Sequence, residues 1–181
     1  RSLFGSAGRN LTIGNNVTIR GGAKITIGDD VFIDDNCVLD ARGESAIRVG
    51  SRVLLARNTI VRARDGTIDI DDGADVGCNC ILGTDSRLQV GKDVLVAAYA
   101  YLVAGGTHNT EDPAVPIIHQ GVTRRGGITI GDGAWLGARV TVLDGCEVGE
   151  GTVVGSHGLV TKSLPARVIA VGIPAVVVRE R

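Results

Sequence analysis

Residues 130–160 read IGDGAWLGARVTVLDGCEVGEGTVVGSHGLV, and aliphatic residues fall on every sixth position: Ile130, Leu136, Val142, Val148, Val154 and Val160. A period of six fits neither the 3.6 of a helix nor the plain alternation of a strand. It fits a short strand plus a turn, repeated, with three such hexads making one turn of a solenoid. The same step runs backward through the chain: Ile13 and Ile19; Ile27, Ile33 and Leu39; Val49, Leu55 and Val61; Ile70, Val76 and Leu82; Val90, Val96 and Leu102. Between these groups the step lengthens to eight, ten, nine, eight and twenty-eight. Extra residues therefore leave after the third hexad each time, at one recurring corner. The longest excursion carries His108, and long insertions in solenoids mark the binding side.

This pattern predicts an all-β chain, a parallel β-helix of about seven triangular turns over residues 1–164, with a loop insertion at 104–127 and a C-terminal tail at 165–181. Positions two before the markers also point inward. They include Ile25, Val31, Ile47, Val53, Ala74, Leu88, Val94 and Val140, together with Cys37, Cys80 and Cys146. Three of the four cysteines thus read as small core hydrophobes, which makes a reducing cytoplasm the simplest compartment. Cys78 falls outside the pattern. Periodic glycines, among them Gly28, Gly50, Gly77, Gly83, Gly91, Gly131, Gly137, Gly149 and Gly155, are expected at the corners. Trp135, just before a marker, is expected to point outward against a loop or a neighbouring subunit.

The net charge of −1 gives no electrostatic case for nucleic acid. No apolar run reaches the roughly 20 residues that span a bilayer. The chain of 181 residues has no methionine and so reads as trimmed at its start. Arg52, Arg57, Arg62 and Arg64 form a basic patch, read as a solvated face or as a contact for an anionic substrate.

Several segments resemble the hexapeptide-repeat O-acetyltransferases, a left-handed β-helix family that includes maltose, galactoside, capsule and exopolysaccharide acetyltransferases. Ile130 to Ala138 resembles their IGDxxWIGA segment, and Val153 to Lys162 resembles VIGAGSVVTK. Ala170-Val171-Gly172-Ile173-Pro174-Ala175 is similar to the AVGxPA of their tails. His108, Asp112, Pro113, Pro116, Ile117, Gln120 and Gly121 match the H-x-x-x-D-P-x-x-P-I-x-x-Q-G loop of polysaccharide-type members.

The resemblance implies acetyl-CoA as co-substrate, a homotrimer with sites between subunits, and His108 as the general base of direct attack without an acyl-enzyme. Carried over by position, Gly137, Ala138, Gly155, Ser156, Thr161 and Lys162 would line the pantetheine arm, with Arg179 near the phosphates. Asp85, Asn79 and Tyr99 become acceptor-site candidates. Ala138 stands where many relatives carry serine, so only backbone N–H groups around Gly137 and Ala138 remain for an oxyanion. His119 reads as a surface or subunit-contact residue; His157 could touch the pantetheine arm or face solvent. Lys162 and Arg179 could equally be ordinary surface charge.

The expected activity is O-acetylation of a sugar or polysaccharide precursor, with N-acetylation of an amino sugar or an antibiotic as the alternative. A non-catalytic trimeric scaffold is a second class, and a γ-carbonic anhydrase-like metal enzyme a third. The separations of His108, His119 and His157 do not match the histidines of those metal enzymes, and no metal is expected.

Overall fold

A computed structural model describes residues 3–181. The chain winds into three parallel sheets, two of seven strands and one of nine, with each hexad passing to the next sheet. The first face carries Ile25–Ile27, Ala46–Val49 and Thr67–Ile70. Phe32–Ile33, Leu54–Leu55 and Trp135–Leu136 lie on the second. The third carries Val38–Ala41, Ile60–Ala63, Ile81–Thr84 and Tyr101–Ala104. Seven stacked turns result. Among the described residues there is no α-helix, only two single 3-10 turns, so no helix is long and apolar enough to cross a membrane.

In-register stacking places like residues above like. On the first face Ile47, Ile68, Leu88 and Ile128 form one inward column; on the third, Leu39, Val61, Leu82, Leu102 and Val142 form another. All of these are buried. Each turn alone would expose its apolar side, so stability comes from neighbours about 4.8 Å away. Cys37, Cys80 and Cys146 lie in this core, Cys78 is half-buried, and all four are free thiols. Burial pushes the Cys80 thiol up to about 11, which keeps it protonated and unreactive. Ile13, at the open N-terminal end, is the exposed exception among the markers.

The glycines fall into two groups that the period did not separate. Those just after a marker sit where the next turn passes close: a Cβ on Gly137 would lie 2.6 Å from the Ser156 nitrogen. Gly83 differs, because it lies inside the third-face strand Ile81–Thr84 rather than at a corner. An added Cβ there would meet the Val103 methyls and the Arg62 carbonyl at ordinary contact distance.

The tail extends the second face. Val168–Val171 pairs parallel to Val153–Val154, and Val176–Glu180 then doubles back antiparallel on it. Trp135 points outward and is about half exposed, in a column with Leu95 and Val153.

Candidate active site

Two corners flank the third face, and almost every candidate residue lies on one or the other. The corner where the third face passes to the first is the excursion corner. Here Tyr101–Ala104 ends, Gly106 turns with φ +80°, and a two-stranded hairpin pairs Thr107–His108 with Val122–Thr123. The motif residues brace this loop from within. Gln120 Nε2 donates to the Asp112 and Val115 carbonyls at 2.8 and 2.7 Å, while its Oε1 accepts from Asp112 N at 3.1 Å. Asn109 Nδ2 donates to the Gln120 carbonyl, and Asn109 Oδ1 accepts from Thr123 Oγ1 at 2.7 Å. Asp112 Oδ1 accepts from Ala114 N, closing the turn at Pro113.

The return leg is docked by Asp144, whose two oxygens accept from Arg125 N at 2.7 Å and Gly127 N at 2.8 Å. Asp144 is buried and bridges the loop to the turn above. These bonds hold the backbone of His108 while its side chain stays exposed and makes no hydrogen bond or ion pair among the described residues. An imidazole with both nitrogens uncommitted can take a proton from an acceptor.

Beside the base of the loop lies a groove of about 330 Å³ in the third face. Gly83 hollows its floor; Arg62, Arg64, Asp85, Tyr101 and Gly105 lie around it. Gly105 is three residues before His108. Asp85 and Arg64 make no ion pair among the described residues. Arg62 stands over Asp40, which is fully buried beneath Arg20, Arg42 and Arg62 at 3.6, 2.8 and 3.5 Å. Burial alone would raise the Asp40 pKa. The hydrogen bond from Arg42 and the charges of Arg42, Arg20 and Arg62 outweigh it, and the carboxyl lies below its ordinary value.

The second-to-third corner is built from tight turns with a left-handed residue in each: Asn16, Asn36, Asn58, Asn79, Tyr99, Arg139 and His157. Val140 N donates to the Gly137 carbonyl and Gly158 N to Gly155, so Ala138 and Ser156 occupy the second position of type II turns. In the lower turns side chains cap the free amides. Asp35 accepts from Asn15 N at 2.6 Å, and Asp34 from Asp35 N and Arg57 N. In the upper turns nothing does: the N–H groups of Cys78, Ala98, Ala138 and Ser156 have no partner among the described residues. Asparagine tolerates the left-handed conformation, but Tyr99, Arg139 and His157 carry it at a cost of about 1 kcal/mol or more each. The Arg139 guanidinium lies 5.5 Å from the centre of the Tyr99 ring. A column of open donors edged by such side chains suits a ligand rich in amide and phosphate oxygens.

The structure divides the sequence-derived candidates accordingly. Asp85 joins the groove at the excursion corner, whereas Asn79 and Tyr99 belong to the amide corner, across a face about 13 Å wide. Asn79 Oδ1 accepts from Asn58 Nδ2 at 3.1 Å as part of an asparagine ladder. Gly137, Ala138, Gly155 and Ser156 share the amide corner. Gly137 N and Gly155 N are committed to the Val154 and Ala170 carbonyls, which leaves the next residue as the open donor in each turn. Thr161 and Lys162 follow Leu159–Val160 at the excursion corner, and Arg179 lies on the outermost strand of the second face. His157 stands at the amide corner while His119 lies in the loop, and among the described residues no group of three or more His, Cys, Asp or Glu could hold a metal ion. Sequence reasoning passed over Asp144 and Asp40, and among the open amides it reached only those around Gly137 and Ala138.

The bacterial transferase hexapeptide (six repeats) family matches residues 127–162, which cover the turns that hold Ala138 and Ser156. A probable acetyltransferase of Mycobacterium tuberculosis is 32% identical over 152 residues, which make up 83% of this chain and 50% of that relative's length. The putative colanic acid biosynthesis acetyltransferase WcaF of Escherichia coli is 32% identical over 138 residues, 74% of this chain and 69% of that protein. Among solved structures, AntD, an N-acyltransferase from Bacillus cereus bound to dTDP-4-amino-4,6-dideoxyglucose and coenzyme A, superposes with a TM-score of 0.67 at 19% identity, over 99% of this chain and 85% of that one. That likeness shows the fold. With the identity to WcaF spread over two thirds of its length, the chain belongs to the hexapeptide-repeat acetyltransferase family.

Proposed function

We propose that the protein transfers an acetyl group from acetyl-CoA to a hydroxyl of a sugar or polysaccharide precursor, with His108 as general base. The observation that carries this reading is the placement of His108 on a braced loop beside a polar groove, one face away from a column of open backbone donors. The His108 imidazole takes the hydroxyl proton as the acceptor oxygen attacks the thioester carbonyl. The resulting tetrahedral oxyanion needs a donor; the uncommitted Ala138 N–H lies a full face away from His108 within one chain, so it would serve only across a subunit interface. Collapse expels the thiolate of coenzyme A, which takes the proton back from the imidazolium. No acyl-enzyme is required, because the acceptor oxygen attacks the thioester of acetyl-CoA directly while both substrates are held together.

Exposed Phe32, Leu95 and Trp135 on the second face support a homotrimer in which a neighbour's second face closes the site. Asp85 supports a second reading, an amino-sugar acceptor, since an unpaired carboxylate in the groove would hold an ammonium group. The test is coenzyme A release from acetyl-CoA across hydroxyl and amino acceptors, with wild type and His108→Ala. Turnover that yields a hydroxylamine-labile ester and falls about 10²- to 10⁴-fold in the variant supports the proposal. An amide product moves the assignment to the amino sugar. An undiminished rate in the variant removes His108 from the chemistry. Absence of turnover with every acceptor, together with capture of a protein partner by the intact assembly, favours the scaffold.

A further inference from the structure

The groove beside His108 holds two guanidinium groups whose purpose the acetyl-transfer chemistry leaves unused. Arg62 and Arg64 sit two residues apart at the end of the third-face strand Ile60–Ala63 and line the groove together with Asp85 and Tyr101. Neither makes a side-chain hydrogen bond among the described residues, and Arg62 Nε is sealed from solvent with only the ion pair to Asp40 at 3.5 Å. Arg62 stands above Asp40 in the cross-strand series Arg20, Asp40 and Arg62. One carboxylate there serves three arginines, so the cluster keeps an excess of positive charge. Arg64 adds another cation with no ion-pair partner among the described residues. Asp85 is the groove's one carboxylate and offsets only part of this.

Arg62 is partly withdrawn from water, whereas Arg64 is exposed. A fixed, partly desolvated guanidinium loses water contacts and regains them best from a planar or tetrahedral oxyanion held bidentately. Asp40 pairs with Arg62 Nε at 3.5 Å without hydrogen-bonding it, and the Arg62 side chain lines the groove. Gly83 keeps the floor open in front of them; a side chain there would fill the space where such a group would sit.

We infer that the acceptor is an anionic saccharide, one whose phosphate or carboxylate is held by Arg62 and Arg64 while its hydroxyl faces His108. The inference rests on the acetyltransferase reading for the word acceptor, but the anion site itself does not. Phosphate and carboxylate share the recognising chemistry, and the experiment separates them.

The test titrates the intact protein with glucose 1-phosphate, glucuronate and methyl glucoside by calorimetry, without acetyl-CoA, and then follows coenzyme A release with the same three. At least one charged sugar is expected to bind about tenfold or more tightly than methyl glucoside. Arg64→Gln and Arg62→Gln are each expected to remove about tenfold of that preference. Arg48→Gln, whose native side chain pairs with Asp69 on the first face, should not change it. Gly83→Val gives a second reading, since it fills the groove floor beside Arg62, its register partner, and should weaken the same sugar. Where Arg62→Gln fails to fold, Arg64→Gln and Gly83→Val carry the decision. Equal binding of charged and neutral sugars, or an unchanged preference in both Arg64→Gln and Gly83→Val, overturns the inference. Preferential anion binding without turnover of any acceptor leaves the anion site standing and overturns the acetyltransferase reading.

Discussion

The two corners of the third face start from the same repeat and end in opposite solutions. At the amide corner nothing is inserted, the backbone repeats turn after turn, and its open N–H groups face outward. At the excursion corner the chain leaves the repeat and side chains do the work: His108 on its hairpin, Asp144 docking the return, Arg62 and Arg64 over the groove. A regular backbone suits a long ligand that recurs in amide and phosphate groups. An irregular insertion suits an acceptor that must be told apart from others. Within the amide corner the contrast appears again, because Asp34 and Asp35 cap the lower turns while Cys78, Ala98, Ala138 and Ser156 leave theirs open.

Breaking the excursion corner should have the larger consequences. His108→Ala is expected to lower turnover by about 10²- to 10⁴-fold, equivalent to about 3–5 kcal/mol at the barrier, without altering acetyl-CoA binding; stopped-flow thiol release checks this. Asp144→Ala removes the acceptor for two backbone donors, one of them on buried Gly127, at about 1–3 kcal/mol of loop docking. The exposed Arg124 and Arg125 then become faster trypsin sites, a change that limited proteolysis followed by mass spectrometry reads directly.

The Asp40 cluster sharpens the contrast through pH. Its folded pKa is depressed, so the stability it contributes is present above the unfolded carboxylate value of about 4 and is lost as pH falls from there through the folded value. Arg20 and Arg42 are more than half exposed, so solvent screening keeps the contribution to a small increment. Urea melts between neutral pH and pH 2.5 should show the wild type losing that increment and Asp40→Asn lacking it throughout. A single donor deleted from the amide corner should have the smallest effect. Ala138→Pro fits the second position of its type II turn yet removes one N–H, and should weaken acetyl-CoA about five- to tenfold while sparing the fold.

Much of the prism was legible because its core obeys one rule: an inward residue every sixth position, and another two before it. Ile68 above Ile47 and below Leu88 follows from counting. The loop was legible as a motif, and the structure supplies its reasons: Gln120 staples two carbonyls and Asp112 closes a turn. Asn79 and Tyr99 lie at the opposite corner of the third face from Asp85 within one chain. Six residues of sequence carry the chain across the whole third face. Asp40 and Arg62 were not paired in advance because the excursions make the offset between turns variable; here it is 22 residues. The remaining open amides were hidden for a different reason. They arise where an Asp35-like capping residue is missing, and an absence stands out only once the ladder shows which side chain would have filled it.

Acetyl-CoA titration of wild type, His108→Ala and Ala138→Pro by calorimetry probes the division of labour between the two corners. The prediction is binding within twofold of wild type for His108→Ala and a five- to tenfold loss for Ala138→Pro, about 1 kcal/mol. Loss of binding in His108→Ala with Ala138→Pro unchanged, or no binding by the wild type at all, would contradict it.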